Sequence, residues 1–218
     1  AIDADPKCAM AYWGAGYASG PNYNMPWDLF DYAGRAAAAR AGYANARKAL
    51  DMIDGVTRWE AALINALPAR YPQPEPLDPE VMKAWNADFT DAMRDVFAVH
   101  PESHEVRTVF AESLLNLTPW KMWDLPSGQP ASGARTVEAQ KVLEEALEGD
   151  PSALYHPGLL HLYVHLMEMS PFPEKALKAG DALRRLVPDA GHLIHMPTHI
   201  DILCGHYQNV VDWNEAAI

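Results

Sequence analysis

The sequence predicts an all-α protein, and three observations carry the prediction. Alanine, leucine and glutamate are frequent, and runs of alternating β-branched residues are missing. Capping residues, prolines and glycines recur at intervals that bound helical segments. Hydrophobic residues make up 49% of the chain and charged residues 21%, which is typical of a globular protein rather than a disordered one.

The helices can be assigned in order from their end signals. Thr57 and Glu60 have capping-box spacing, and Asp78 caps a helix with Pro79 in its first turn. The proline- and glycine-rich stretch 120–132 is predicted to be a long loop. About ten helices are expected, near residues 9–19, 28–52, 57–69, 78–99, 102–117, 135–149, 154–169, 173–186, 190–204 and 207–218.

Charge and composition exclude several classes of partner. The formal net charge of -12 argues against a nucleic-acid backbone. No window approaches the ~20 uncharged apolar residues of a membrane span, so no membrane partner is expected. Cys8 and Cys204 are too few for a disulfide scaffold. We therefore expect a soluble protein of the cytoplasm.

The histidines are concentrated in one stretch. Six of the nine lie between His156 and His199. They include two triplets, His161-His165-Glu168 and His192-His195-His199, and a helix that turns about 100° per residue presents each triplet on one face. Imidazole and carboxylate groups are the ordinary ligands of zinc and related metals. The pattern predicts a divalent metal site between helices, with zinc favoured and iron, copper and manganese as alternatives.

Pro197 falls inside the second triplet and leaves two interpretations open. A helix that begins near Ala190 is kinked at Pro197, which lacks a backbone N–H. A helix that begins at Pro197 leaves His192 and His195 on a loop. We favour the kinked helix.

Several segments resemble the junction between two tetratricopeptide repeats. In that family a small residue and a proline end one repeat, and an aromatic pattern followed by small residues opens the next. The segment ALEGDP matches with Ala146 and Pro151, and Pro188 follows near the ~34-residue period of the family. The opening segment AIDADPKCAMAYWGAG matches with Ala1, Pro6, Tyr12, Ala15 and Gly16.

The resemblance implies a single domain over residues 1–218, built from antiparallel helix pairs stacked as a right-handed α-solenoid. It also implies that the chain is incomplete at both ends and belongs to a longer repeat array. In this family the first helix of each pair lines a concave groove. The register then places both histidine triplets on neighbouring groove faces, together with Glu112.

The predicted site has an inner and an outer layer. Glu112 and Asp201 are expected to support the ligands, and Glu112 or Glu168 is expected to act as a base or to bridge two metals. Three inserted loops are expected to bring aromatic side chains to a pocket rim, with packing over helix ends as the alternative. The expected ligands are His161, His165, Glu168, His192, His195 and His199, and the rim residues are Tyr23, Trp27, Trp120, Trp123 and Phe172.

Two functions follow from these observations. The first is a repeat protein with a metal in its groove, and with a metal-dependent reaction on a small molecule whose identity the pattern does not specify. The second is an interaction scaffold that binds a peptide segment without metal. His156 is a weaker ligand candidate, and His100, His104 and His206 are predicted to be surface or capping residues.

Overall fold

The computed structural model describes all residues from Ala1 to Ile218, and its regular structure is helical apart from two short strands. The chain divides into two compact units, Ala1–Pro119 (the N-terminal unit) and Trp120–Ile218 (the C-terminal unit). The all-α prediction is therefore confirmed. The single domain and the right-handed repeat stack stay predictions. No helix combines the length and apolar character that crossing a bilayer requires.

Five helices build the N-terminal unit, and their ends follow the capping signals. Thr57 and Glu60 form the predicted reciprocal capping box, and the Asp78 side chain accepts a hydrogen bond from Glu80 N. The helices are α1 (Ala9–Ser19), α2 (Tyr32–Leu50), α3 (Arg58–Ala66), α4 (Pro79–Val99) and α5 (His104–Leu115).

Helix α2 begins later than its predicted start near Asp28. Asp31 is its N-cap, because its side chain accepts a hydrogen bond of 2.6 Å from Gly34 N. Trp27–Leu29 forms a separate 3-10 turn, in which the Trp27 side chain is fully buried.

An aromatic cluster fills the core of the N-terminal unit. Trp27 packs edge-on against Tyr71 and Trp85. The Tyr71 hydroxyl donates a hydrogen bond of 2.9 Å to the Gly16 carbonyl. The Tyr71 ring lies directly on Gly42, where an added Cβ would sit only 2.3 Å from it, so this packing requires glycine.

The C-terminal unit opens with a small hairpin where a long loop was predicted. Strands β1 (Trp123–Asp124) and β2 (Gln129–Pro130) pair antiparallel. The Trp123 indole donates a hydrogen bond of 2.7 Å to Leu166 O, which attaches the hairpin to the following helices. These are α6 (Thr136–Gly149), α7 (Pro157–Met167), α8 (Leu177–Leu186), α9 (Gly191–His195), α10 (Pro197–Leu203) and α11 (Tyr207–Ala216).

A buried ion pair holds the last helices of this unit together. Arg184 on α8 donates to Asp201 on α10 at 2.8 Å, and both side chains are only 1% exposed. The guanidinium of Arg184 also lies 5.1 Å from the ring centre of Trp213 on α11. These contacts connect α8 to α10, which carries His199, and to α11.

Candidate metal centre

Helix α7 carries the first triplet. The Nδ1 atom of His156 accepts a hydrogen bond from Leu159 N at 3.2 Å and so caps the helix, with Pro157 in its first turn. His161 and His165 lie one turn apart, with ring centres 4.5 Å apart. Glu168 is the C-cap residue of the same helix. The Nδ1 atom of His156 therefore caps the helix, which agrees with its being a weaker ligand candidate.

Pro197 divides the segment that carries the second triplet. The helix continues through His195 into Met196, whose backbone is helical and whose N–H bonds to His192 O at 3.0 Å. A new short helix begins at Pro197, and His199 N bonds to Met196 O at 3.1 Å. The kinked-helix interpretation agrees with this geometry, and His192 and His195 are not on a loop.

Three histidines converge from the two helical segments. The Nε2 atoms of His161 and His192 are 3.1 Å apart. Imidazole nitrogens of His161, His165 and His192 all lie within 4.8 Å of one another, which is close enough to hold one metal ion. His165 is buried, His161 is half-buried and His192 is exposed, so the group opens toward solvent on one side. We call these residues the three-histidine cluster.

Glu168 lies behind the histidines rather than among them. Its Oε1 atom is 2.9 Å from His165 Nδ1, and its Oε2 atom is 2.5 Å from His199 Nδ1. A carboxylate only accepts hydrogen bonds, so each Nδ1 carries a proton, and in the neutral form of each imidazole the lone pair is on Nε2. Glu168 was predicted to be a metal ligand or a bridge. In this geometry each of its oxygens accepts a hydrogen bond from one imidazole, and its role as a metal ligand or bridge stays a prediction.

His195 and His199 form a second group, the histidine pair. Their Nε2 atoms are 3.0 Å apart. The Nδ1 atom of His195 lies 2.6 Å from Asn214 Oδ1 on α11. Asn214 was not identified from the sequence, because its only signal is a polar residue on the last helix and the contact depends on tertiary packing.

Burial and mutual repulsion keep two of these imidazoles neutral. Burial, together with repulsion from the protonated forms of His165 and His192, lowers the pKa of His161 to about 3 against the attraction of Glu168. The same causes lower the pKa of His192, with His195 and His199 contributing. Burial raises the pKa of Glu168, but hydrogen bonds from His165 and His199 outweigh it and bring the pKa to about 2. The carboxylate is therefore ionised and the two histidines are neutral at pH 7.

The two carboxylates predicted to support the ligands, Asp201 and Glu112, have hydrogen-bond partners other than the histidine ligands. Asp201 pairs with Arg184, and its second oxygen lies 3.3 Å from Asn209 Nδ2. It contributes to the packing of α8 on α10 instead of orienting a ligand. Glu112 belongs to the N-terminal unit, where burial raises its pKa to about 7 against a hydrogen bond from Asn116. Its role toward the histidines stays a prediction.

The predicted rim residues fall into two groups. Tyr23 and Trp27 are buried in the aromatic core of the N-terminal unit, so they do not line an open rim, and the packing alternative applies to them. In the C-terminal unit, Trp120 and Trp123 line a groove of about 530 Å³ with Met169, the residue after Glu168. Phe172 is half exposed.

Comparison of the chain with protein-family models, with curated proteins and with solved structures gave no match. The resemblance to the tetratricopeptide-repeat family therefore stays a prediction. The three imidazoles of the cluster are close enough to hold one metal ion. In the same unit, Glu168 and Asn214 accept hydrogen bonds that orient histidine rings.

Proposed function

We propose that the C-terminal unit binds a divalent transition-metal ion through the three-histidine cluster of His161, His165 and His192. The observation that carries this proposal is the approach of their imidazole nitrogens to within 4.8 Å of one another. Nitrogens that share one zinc ion at about 2.1 Å are separated by about 3.4 Å in tetrahedral geometry. The Nε2 atoms of His161 and His192, 3.1 Å apart, are already near that spacing.

The state of the ligands supports the proposal. A metal binds the neutral imidazole, so a histidine with a high pKa loses affinity to competing protons. The pKa of His161 is about 3 and that of His192 is also lowered, so neither needs to release a proton at pH 7. The ionised Glu168 holds His165 with its Nδ1 proton facing the carboxylate. Such an outer carboxylate raises the basicity of the ligating nitrogen.

The donor set favours zinc, with copper, iron and manganese as the alternatives. Imidazole is a borderline donor that suits zinc and copper better than it suits magnesium or calcium. Three protein ligands leave a fourth tetrahedral position, as in catalytic zinc sites. The proposal therefore includes a metal-dependent reaction on a small molecule. We assign Glu168 to orienting His165 and His199, and no residue is assigned as the base.

Equilibrium dialysis against micromolar zinc, followed by measurement of metal per chain, tests the proposal. The double variant His161→Ala/His192→Ala is expected to lose the ion held by the cluster. The matched control His100→Ala/His104→Ala removes two histidines of the N-terminal unit and is expected to keep the zinc content of the unchanged chain. Equal zinc content in all three proteins contradicts binding at the three-histidine cluster, and no zinc in any of them leaves only the peptide-binding scaffold.

A further inference from the structure

The histidine pair His195 and His199 has a fixed arrangement of protons. Asn214 Nδ2 donates to Val210 O at 2.6 Å and to Thr198 Oγ1 at 3.2 Å, which determines the orientation of the amide. Its oxygen therefore faces His195 Nδ1 at 2.6 Å. An amide oxygen only accepts, so the proton of a neutral His195 is on Nδ1 and its Nε2 presents a lone pair.

The same reasoning applies to His199. Its Nδ1 faces the Glu168 carboxylate at 2.5 Å, so the proton is again on Nδ1. The two Nε2 atoms are 3.0 Å apart. When both imidazoles are neutral and carry their protons on Nδ1, both Nε2 lone pairs face this space, and they repel each other unless a proton or a metal cation lies between them.

The geometry points to a second divalent transition-metal ion, bound by the Nε2 atoms of His195 and His199. Two nitrogens that bind one ion at about 2.1 Å and at a right angle are about 3.0 Å apart, which matches the observed separation. Two protein ligands leave several coordination positions, which water or a small oxygen- or nitrogen-bearing ligand fills.

Glu168 couples this ion to the first one. It accepts a hydrogen bond from His165 of the three-histidine cluster and another from His199 of the histidine pair. One carboxylate thus orients one ligand of each ion. This inference rests on the proposed function, because the second ion completes a two-metal centre. The second ion nevertheless has its own ligands and its own test.

The experiment is a zinc titration of the full chain by equilibrium dialysis with metal analysis. The unchanged chain is expected to bind about two zinc ions, and His195→Gln/His199→Gln about one. The variant His161→Gln/His192→Gln is also expected to bind about one, which isolates the ion at the histidine pair. Glutamine keeps a polar side chain of similar volume, and circular dichroism with a melting curve verifies that each variant is folded.

The outcomes separate the two claims. If His195→Gln/His199→Gln binds as much zinc as the unchanged chain, the second ion is absent and a shared proton relieves the repulsion. If His161→Gln/His192→Gln loses no zinc, the proposed function fails on its own account. Asn214→Ala keeps both imidazoles but frees His195 Nδ1, and it is expected to weaken the second ion about 10-fold while leaving the first unchanged. An unchanged second affinity in Asn214→Ala contradicts the argument from proton positions.

Discussion

The two units bury titratable side chains of opposite kinds. In the N-terminal unit, burial raises the pKa of Glu112 to about 7, so the carboxyl group keeps its proton into the neutral range. In the C-terminal unit, burial and neighbouring histidines lower the pKa of His161 to about 3, so the imidazole stays unprotonated. Both environments favour the neutral form, but only the imidazole keeps a lone pair directed at its neighbours.

The comparison extends to the hydrogen bonds of each unit. In the N-terminal unit, buried donors reach backbone acceptors, as Tyr71 does at Gly16 O and Trp13 at Leu63 O. In the C-terminal unit, Glu168 accepts at Nδ1 of His165 and His199, and Asn214 accepts at Nδ1 of His195. The Nε2 atoms of His195 and His199 face each other at 3.0 Å. The first arrangement stabilises a fold, whereas an excess of converging acceptors is suited to a cation.

The largest effect is expected where a buried charge is structural. Asp201→Ala leaves Arg184 buried without its main partner, and the free energy of unfolding is expected to fall by about 3–5 kcal/mol in urea titrations. Asp181→Ala is the matched control, because Asp181 also pairs with Arg184 but is 62% exposed, and a loss below about 1 kcal/mol is expected. Equal losses in the two variants would mean that the ion pair is not what holds α8 to α10.

A smaller effect on stability and a larger one on metal binding are expected for Glu168→Gln. An amide has one acceptor oxygen, so only one of His165 and His199 keeps its Nδ1 proton facing an acceptor. Zinc affinity, measured by competition with a chromophoric chelator, is expected to fall about 10- to 100-fold. Glu144→Gln alters a carboxylate that binds Tyr163 and Lys175, and it is expected to leave zinc affinity unchanged. If Glu168→Gln and Glu144→Gln have the same zinc affinity, Glu168 does not orient the metal ligands.

A third prediction is a pair of opposite pH dependences in the metal-free chain. The lowered pKa of His161 means that the unfolded chain binds its proton first, so stability falls as pH drops from about 6.5 toward 3. The raised pKa of Glu112 has the opposite sign, and its contribution is present below about pH 4.5 and lost as pH rises toward 7.

Chelator-treated protein allows the two pH dependences to be measured separately. His161→Gln is expected to reduce the loss of stability on acidification, and Glu112→Gln is expected to reduce the loss on raising the pH from 4.5 to 7. The measurement is the urea midpoint as a function of pH for the unchanged chain and both variants. If neither variant changes the dependence of the urea midpoint on pH, the opposite pKa shifts of His161 and Glu112 do not contribute to stability.

Local signals in the sequence predicted most of the fold. The capping box at Thr57 and the cap at Asp78 are readable because each depends on residues within one turn. The start of α2 was not predicted, because Asp28 and Asp31 are both acceptable caps and burial of Trp27 selects between them. The hairpin at Trp123 was missed because its strands are only two residues long.

The candidate site was predictable only in its helical part. Histidines at helical spacing on α7 and on the α9–α10 segment identify groups that can approach one another. Which nitrogen faces which acceptor depends on contacts between helices, as for Asn214 and His195. The ion pair between Asp201 and Arg184 was not predicted for the same reason, although Asp201 lies only two residues after His199.

Anomalous diffraction from zinc-soaked crystals of the full chain tests the central claim most directly. The account predicts a zinc peak about 2.1 Å from imidazole nitrogens of His161, His165 and His192. The same peak should be lost in His161→Ala/His192→Ala crystals. Zinc found only at surface carboxylates, with no peak among these three histidines at saturating metal, would contradict the account.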